Sequence, residues 1–314
     1  MDPSSHRPSD RGLCARSPVD SIVDVPDPFI DLHAHSSVSD GTERPADLVR
    51  AAAAAGLDAV ALTDHDTTAG WAEATATVRD LPLTLLPGLE LSTRVGHRSV
   101  HVLGYLVDPD DHGLVAETGR IRDGRLARAR RMVERIGRDH PLTWDDVLAQ
   151  SRDGATIGRP HIADALVARG LEADRSAAFR GILHPASGYY EPHEAPTPLR
   201  GVELIRQAGG VPVIAHPAAS SRGIVIDEPM LRELVEAGLG GLEVDHRENL
   251  AHGKRTLLDW ATRYDLFVTG SSDYHGTGKP NRLGEHRTAR AAFDTILSEA
   301  TGSTPVVGAG SRLP

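Results

Sequence analysis

Asp31-Leu32-His33-Ala34-His35, followed by Asp40, is the stretch that decides how the chain is read. Side chains two apart on an extended strand share a face, so His33 and His35 can converge on one ion. The apolar run 29–32 reads as a strand, which puts both histidines at its C-terminal end, where α/β barrels carry their chemistry. Two histidines flanking an alanine also suit a solvated loop, so the rest of the chain has to decide.

Outward from this point the arrangement recurs. Strands are expected at 58–62, 83–91, 99–107, 211–215, 242–245 and 266–269. Helical patterns lie between them, such as 45–55, opened by Pro45 and closed by Gly56, and 67–78. Repeated β-α units predict a parallel sheet, closed or nearly closed into a barrel. Almost every strand end carries His, Asp or Glu: Thr63-Asp64-His65-Asp66, Pro87-Gly88-Leu89-Glu90, Val100-His101-Val102, Ala215-His216-Pro217 and Ser272-Asp273-Tyr274-His275. Ionisable groups are costly to bury unless they are paired or bind metal, so the repetition points to a metal cluster rather than to packing. Asp64 and Asp66 flank His65 and are expected to orient it.

Residues 110–200 show helical patterns only. They predict a helical insertion forming a substrate lid over a barrel made of 29–109 and 201–314, the latter ending in a helix. Residues 1–28, rich in Pro, Ser, Asp and Arg, read as a flexible tail. The run Arg120, Arg122, Arg125, Arg128, Arg130 and Arg131 has acidic residues among it and reads as a solvated helix face. His97, His112, His140, His184, His252 and His286 read as surface or structural.

Composition bounds the function. The chain has 314 residues, 39% hydrophobic and 25% charged, as in an ordinary globular protein. Its net charge of −10 argues against a grip on long nucleic acid, while a local basic patch can still hold a small phosphorylated ligand. A single cysteine, Cys14, excludes an intramolecular disulfide and a thiolate zinc cluster, and fits a cytoplasmic location. No apolar run approaches the ~18 residues of a membrane span. No feature speaks to oligomeric state.

Taken in order, His33-Ala34-His35 with Asp40, Thr63-Asp64-His65, Ala215-His216-Pro217 and Ser272-Asp273-Tyr274-His275 resemble the four motifs of the PHP (polymerase and histidinol phosphatase) superfamily of metal-dependent phosphoesterases. The resemblance covers residues 29–296. It implies an α/β fold, a distorted (β/α)7 barrel, with two or three divalent ions, manganese first and zinc, iron(II) or magnesium as alternatives. It also implies the ligands: His33, His35, Asp273 and a bridging Glu90 at one position, Glu90, His101 and His216 at a second, and Asp40, His65 and His275 at a third. Such a centre neutralises phosphoryl oxygens and hydrolyses the ester with a metal-activated hydroxide.

Gly158-Arg159-Pro160-His161 at a helix start and Tyr190-Glu191-Pro192-His193 in a loop resemble the subgroup that removes the 3′-phosphate of nucleoside 3′,5′-bisphosphates, some members of which trim short oligonucleotides from the 5′ end. The stretches 241–246 and 281–286 resemble it too. Arg159 is then expected to fork onto a phosphate, with His161, His193 and His246 as further substrate contacts. His161 or His193 is the expected proton donor to the leaving oxygen. Two other readings are a histidinol phosphate phosphatase using the same ions and, from another class, a non-catalytic metal-binding module like the PHP domains fused to polymerases.

Overall fold

The computed structural model describes residues 27–96, 98–152, 154–219 and 224–313; Cys14, His97 and the expected tail up to residue 26 lie outside them. One mixed sheet runs in the order β1 (Ile30–Ala34), β2 (Ala59–Leu62), β3 (Thr84–Val95), β4 (Arg98–Tyr105), β5 (Val211–Ala215), β6 (Gly241–Asp245), β7 (Phe267–Gly270). It nearly closes. Past the end of β7, Tyr274 bridges Ala34, and Thr288 joins the two edges by donating its N–H to the Ile30 carbonyl at 3.0 Å and its hydroxyl to that of Gly270 at 2.9 Å.

The sheet is not wholly parallel. β4 runs antiparallel to both β3 and β5. Only residues 96 and 97 separate β3 from β4, enough for a hairpin, whereas a parallel return needs a crossover of about a dozen residues or more. A short final strand, Val306–Val307, pairs with the start of β3.

Helices α1 (Pro45–Ala54) and α2 (Trp71–Val78) follow β1 and β2. The intervening segment holds α3 (His112–Ile136), α4 (Trp144–Leu148), α5 (Arg159–Ala168) and α6 (Arg175–Arg180). α7 (Pro198–Gln207), α8 (Glu228–Glu236), α9 (Ala251–Arg263) and α10 (Arg290–Glu299) complete the outer layer. Ile30, Leu32, Ala61, Leu103, Tyr105 and Val213 fill the closed end of the barrel with Phe293 and Ile296 of α10. The Tyr105 hydroxyl donates to the Leu32 carbonyl at 3.0 Å. No helix among the described residues is long and apolar enough to cross a membrane.

α3 belongs to two cores. Leu114 and Ile121 pack with Val202 and Ile205 against the barrel, while Met132, Val133 and Ile136 pack with Ile162, Leu166 and Leu183 of the helical segment. Its buried positions, Leu114, Thr118, Ile121, Arg125, Arg128, Met132 and Ile136, recur at three- and four-residue steps, one helix stripe. Arg125 and Arg128 thus occupy core positions, 8% and 3% exposed, instead of the solvated face expected of the arginine run.

Candidate metal centre

His33, His35, Asp40, His65, Glu90, His101, His216, Asp273 and His275 meet at the open end of the barrel. Glu90 is the hub. Its Oε2 lies 3.1 Å from His35 Nε2, 3.1 Å from His65 Nδ1 and 3.3 Å from His33 Nε2, and its Oε1 lies 2.7 Å from His101 Nδ1 and 3.2 Å from His216 Nε2. Four groups of donor atoms form: His35, Asp40, His65 and His275; His33, Glu90 and His216; His33, His35 and Asp273; and His65, Glu90 and His101. His101 therefore groups with His65, and His216 with His33, a sorting that differs from the one the resemblance implies.

Local backbone carries these side chains to the mouth. Ile30 and Leu32 face the apolar interior, yet His33 and His35, of opposite parity, face the site. The register of β1 on β2 shifts between Asp31 and Ala34, where the faces exchange. His216 (φ 31°) and Asp273 (φ 53°) take left-handed backbone just past β5 and β7, a conformation costing ~1–3 kcal/mol that clusters at functional sites.

The pocket's electrostatics favour cations. Burial raises Glu90, but His65, His101 and His33 outweigh it and hold the carboxyl well below its usual range. Burial works against protonating His33 and His35 as well. Glu243 and Glu90 nevertheless push His33 well up, and Asp273 and Glu90 push His35 up to about 9. Burial instead drives His65 well below its ordinary value. The carboxylates thus demand positive charge where His33 Nε2 and His35 Nε2 face each other at 3.0 Å. Asp40 Oδ1, His65 Nδ1 and His275 Nε2 are buried and meet no well-aligned hydrogen-bond partner, although His275 Nε2 lies 3.1 Å from Asp40 Oδ1 and His65 Nδ1 3.1 Å from Glu90 Oε2. Converging N and O donors with orphaned lone pairs, and no thiolate, fit divalent ions.

The substrate candidates lie beside this centre. His193 Nδ1 accepts from Arg128 at 3.0 Å, and the His193 carbonyl accepts from Arg94 at 2.6 Å. Burial, then Arg125, Arg128 and Arg94, push His193 down to about 2, and burial with Arg125, Arg159 and Arg94 brings Arg128 down to about 9. Arg125 pairs with Asp66 at 3.1 Å. The Arg159 guanidinium lies over the rings of Phe179 (5.2 Å) and Tyr190 (5.3 Å). His161 Nδ1 accepts from the Gly158 N–H at 3.2 Å, which leaves its proton on Nε2. His246 lies on the buried side of the centre, with Nε2 3.7 Å from Asp273 Oδ2 and its ring 5.2 Å from that of His216.

The family model described as the PHP domain matches residues 31–138. The chain is 35% identical over 260 residues to a 3′,5′-nucleoside bisphosphate phosphatase of Chromobacterium violaceum, covering 81% of this chain and 89% of that one. The chain belongs to the PHP family. It is also 30% identical over 248 residues to a 5′-3′ exoribonuclease of Haemophilus influenzae, covering 78% and 89%. A crystal structure of a Bifidobacterium adolescentis protein assigned to the metal-dependent phosphoesterases superposes with a TM-score of 0.85 at 44% identity, covering 88% of this chain and 98% of that one. This PHP protein is a metal-dependent hydrolase of phosphoric esters.

Three features of the PHP site escaped the sequence reading. Glu243 accepts from His33 Nδ1 at 2.9 Å and from the His216 N–H at 2.7 Å, holding both from behind. Glutamate at a buried β6 position, where an aliphatic residue belongs, was its signal. Arg125 and Arg128 were legible as cations on a core stripe. Arg175 grips Asp164 of α5 (2.6 and 2.5 Å) and the Asp40 carbonyl (3.1 Å), tying the helical segment to the Asp40 loop. Asp64 and Asp66 do not orient the His65 ring. As immediate neighbours they point elsewhere, Asp64 to Ser36 and Ser39 (2.6–2.8 Å) and Asp66 to Ser92 and Arg125.

Proposed function

We propose that the protein removes the 3′-phosphate of nucleoside 3′,5′-bisphosphates, using the nine side chains as ligands for two or three ions, manganese first. The observation that carries this reading is the arginine group around His193, in which Arg125 and Arg128 are buried. Arg94, Arg125, Arg128 and Arg159 gather beside His65 and His101, and Arg128 meets a neutral ring where a carboxylate would compensate it. A like-charged, partly desolvated cluster beside a phosphoryl-handling centre suits a second phosphate on the same substrate.

Divalent ions held by the nine ligands supply charge neutralisation of the phosphoryl oxygens and a lowered pKa for the attacking water. Arg128 and Arg159 grip the retained 5′-phosphate, helped by the N–H groups opening α5. His161 Nε2–H donates a hydrogen bond to the departing 3′-oxygen, which takes its proton from solvent. His193 stays neutral and accepts from Arg128, so it positions that arginine and delivers no proton. His246 steadies Asp273 from the buried side. The helical segment 110–200 acts as a lid, and the same groove admits the 5′ end of a short oligonucleotide.

Phosphate release from adenosine 3′,5′-bisphosphate by chelated protein, with and without Mn²⁺, tests this beside a 5′-phosphorylated dinucleotide and histidinol phosphate. Manganese-dependent release from the bisphosphate is expected, and it should vanish in folded Asp40→Ala and His216→Ala. Turnover of histidinol phosphate alone would overturn the reading.

A further inference from the structure

Of the chain's 34 basic residues only Lys254 and Lys279 are lysine. Lys254 sits on Asp245 outside the centre, at 2.7 Å. Lys279 sits on the centre itself. Its ammonium donates to Asp273 Oδ2 at 2.7 Å, while Asp273 Oδ1 lies 3.5 Å from His33 Nε2, 3.4 Å from His35 Nε2 and 3.4 Å from His275 Nδ1.

The ammonium is held in place by the turn that carries His275. Gly276 has φ 63°, and a Cβ there would collide with Thr42 Oγ1. The Thr277 N–H donates to Thr42 Oγ1 at 2.9 Å. Asn281 Nδ2 donates to the carbonyls of Ser272 (2.6 Å) and Asp273 (3.2 Å). Both ends of the Lys279 loop are therefore tied to the site, unlike the stem of a surface lysine.

One carboxylate is thus shared between two sources of positive charge. Its Oδ1 belongs to the ion-binding groups and its Oδ2 to Lys279, so an ion-loaded centre carries excess positive charge at this edge. The complement of such an excess is an anion. An ammonium has three N–H donors, of which Asp273 takes one. The Lys279 side chain remains 34% exposed where that of Asp273 is 4% exposed, so the lysine is reached by solvent where the carboxylate is not. The arginine group reaches the centre from another part of the barrel wall, through Asp66 after β2 and Ser92 on β3. Cations therefore flank the ions from the β7 side and from the β2–β3 side.

The geometry points to Lys279 as a binding residue for the phosphoryl group that is hydrolysed, with the arginines left to the phosphate that is kept. The assignment to the hydrolysed group rests on phosphoester hydrolysis; its division from the arginines rests on the bisphosphate reading. Inorganic phosphate, the product of any phosphomonoester, is the probe for the first part. It is titrated calorimetrically into Mn²⁺-loaded wild type, Lys279→Met and Lys279→Arg, with ion content measured on the same samples. Ion content should be equal in all three, phosphate affinity about tenfold weaker in Lys279→Met, and partly restored in Lys279→Arg. Adenosine 5′-monophosphate, which carries only the retained phosphate, should lose no more than about twofold in Lys279→Met. Wild-type phosphate affinity in Lys279→Met overturns the inference, as does loss of ions, which makes Lys279 a support for Asp273 alone. An equal loss for both ligands overturns the division. Failure of the bisphosphate reading shows separately, as absent turnover of the bisphosphate with phosphate binding intact.

Discussion

Two clusters of charge, one buried and one half-buried, lie side by side in this protein, and they are opposite in kind. Around Glu90, six imidazoles and three carboxylates interleave, so groups of opposite sign neighbour one another. Around His193, arginines from β3, α3 and α5 converge, Arg125 pairing with Asp66. The first cluster stands on strand ends, braced by Glu243. The second stands on a helix stripe and on a loop that Glu191 ties to Arg131 (2.6 Å) and Arg135 (2.8 Å). The opposite signs of the two clusters match the two ligands proposed for them, divalent ions for one and an anion for the other.

Substitutions at the two hubs should therefore act in opposite directions on the ligand-free protein. Glu90→Gln removes the acceptor common to five rings. Ion content should collapse, turnover should fall at least about 10³-fold, and the melting temperature without ions should drop. Elemental analysis and calorimetry read these effects, and a variant that keeps its ions would dissolve the contrast. Arg128→Met removes a buried cation that lacks a carboxylate. KM for the bisphosphate should rise roughly 10–100-fold, yet the ligand-free protein should be as stable as wild type or about 1 kcal/mol more stable. If Arg128→Met destabilises the free protein as Glu90→Gln does, the arginine cluster is structural.

A finer probe separates brace from ligand. Glu243→Gln leaves all nine donors in place but loosens His33 and His216, so Mn²⁺ affinity measured by titration should weaken about 10–100-fold. Unchanged affinity would mean that the strand ends alone set the rings.

The smallest effect is one of pH. His193 titrates at about 2 in the fold against an ordinary ~6.5, so the native state refuses a proton that the unfolded chain accepts. Unfolding takes up that proton below ~6.5, and the contribution of a neutral His193 is lost progressively as pH falls from there toward 2. Hydrogen exchange in the loop 189–196, corrected for intrinsic rates, should accelerate between about pH 7.5 and about pH 5.5. His193→Gln, which keeps an acceptor for Arg128, should flatten the profile. Equal acceleration in both proteins would place the acid-sensitive group elsewhere.

The contrast also explains what could be read in advance. His33 and His35 two apart, and an ionisable residue at the end of almost every apolar run, announced the first cluster because strand geometry ties spacing to facing. Arg128 and His193 are 65 residues apart, and no local period links a helix stripe to a distant loop. The arginine run looked solvated because its charges were counted together; burial selects Arg125 and Arg128 from it by helical phase. Asp64 and Asp66 misled for the converse reason, since adjacency in sequence points neighbouring side chains apart.

Spacing along the chain by itself determined that this protein is an α/β barrel with histidines and carboxylates at its mouth, because periodicity is a property of one segment at a time. Tertiary structure alone decided that β4 runs antiparallel and that the register shift in β1 turns His33 and His35 to the site. It also decided where Glu243, Arg128 and Lys279 lie. Those outcomes depend on which faces meet when the sheet closes, and closure couples residues hundreds of positions apart, a distance over which no repeat in the sequence carries information.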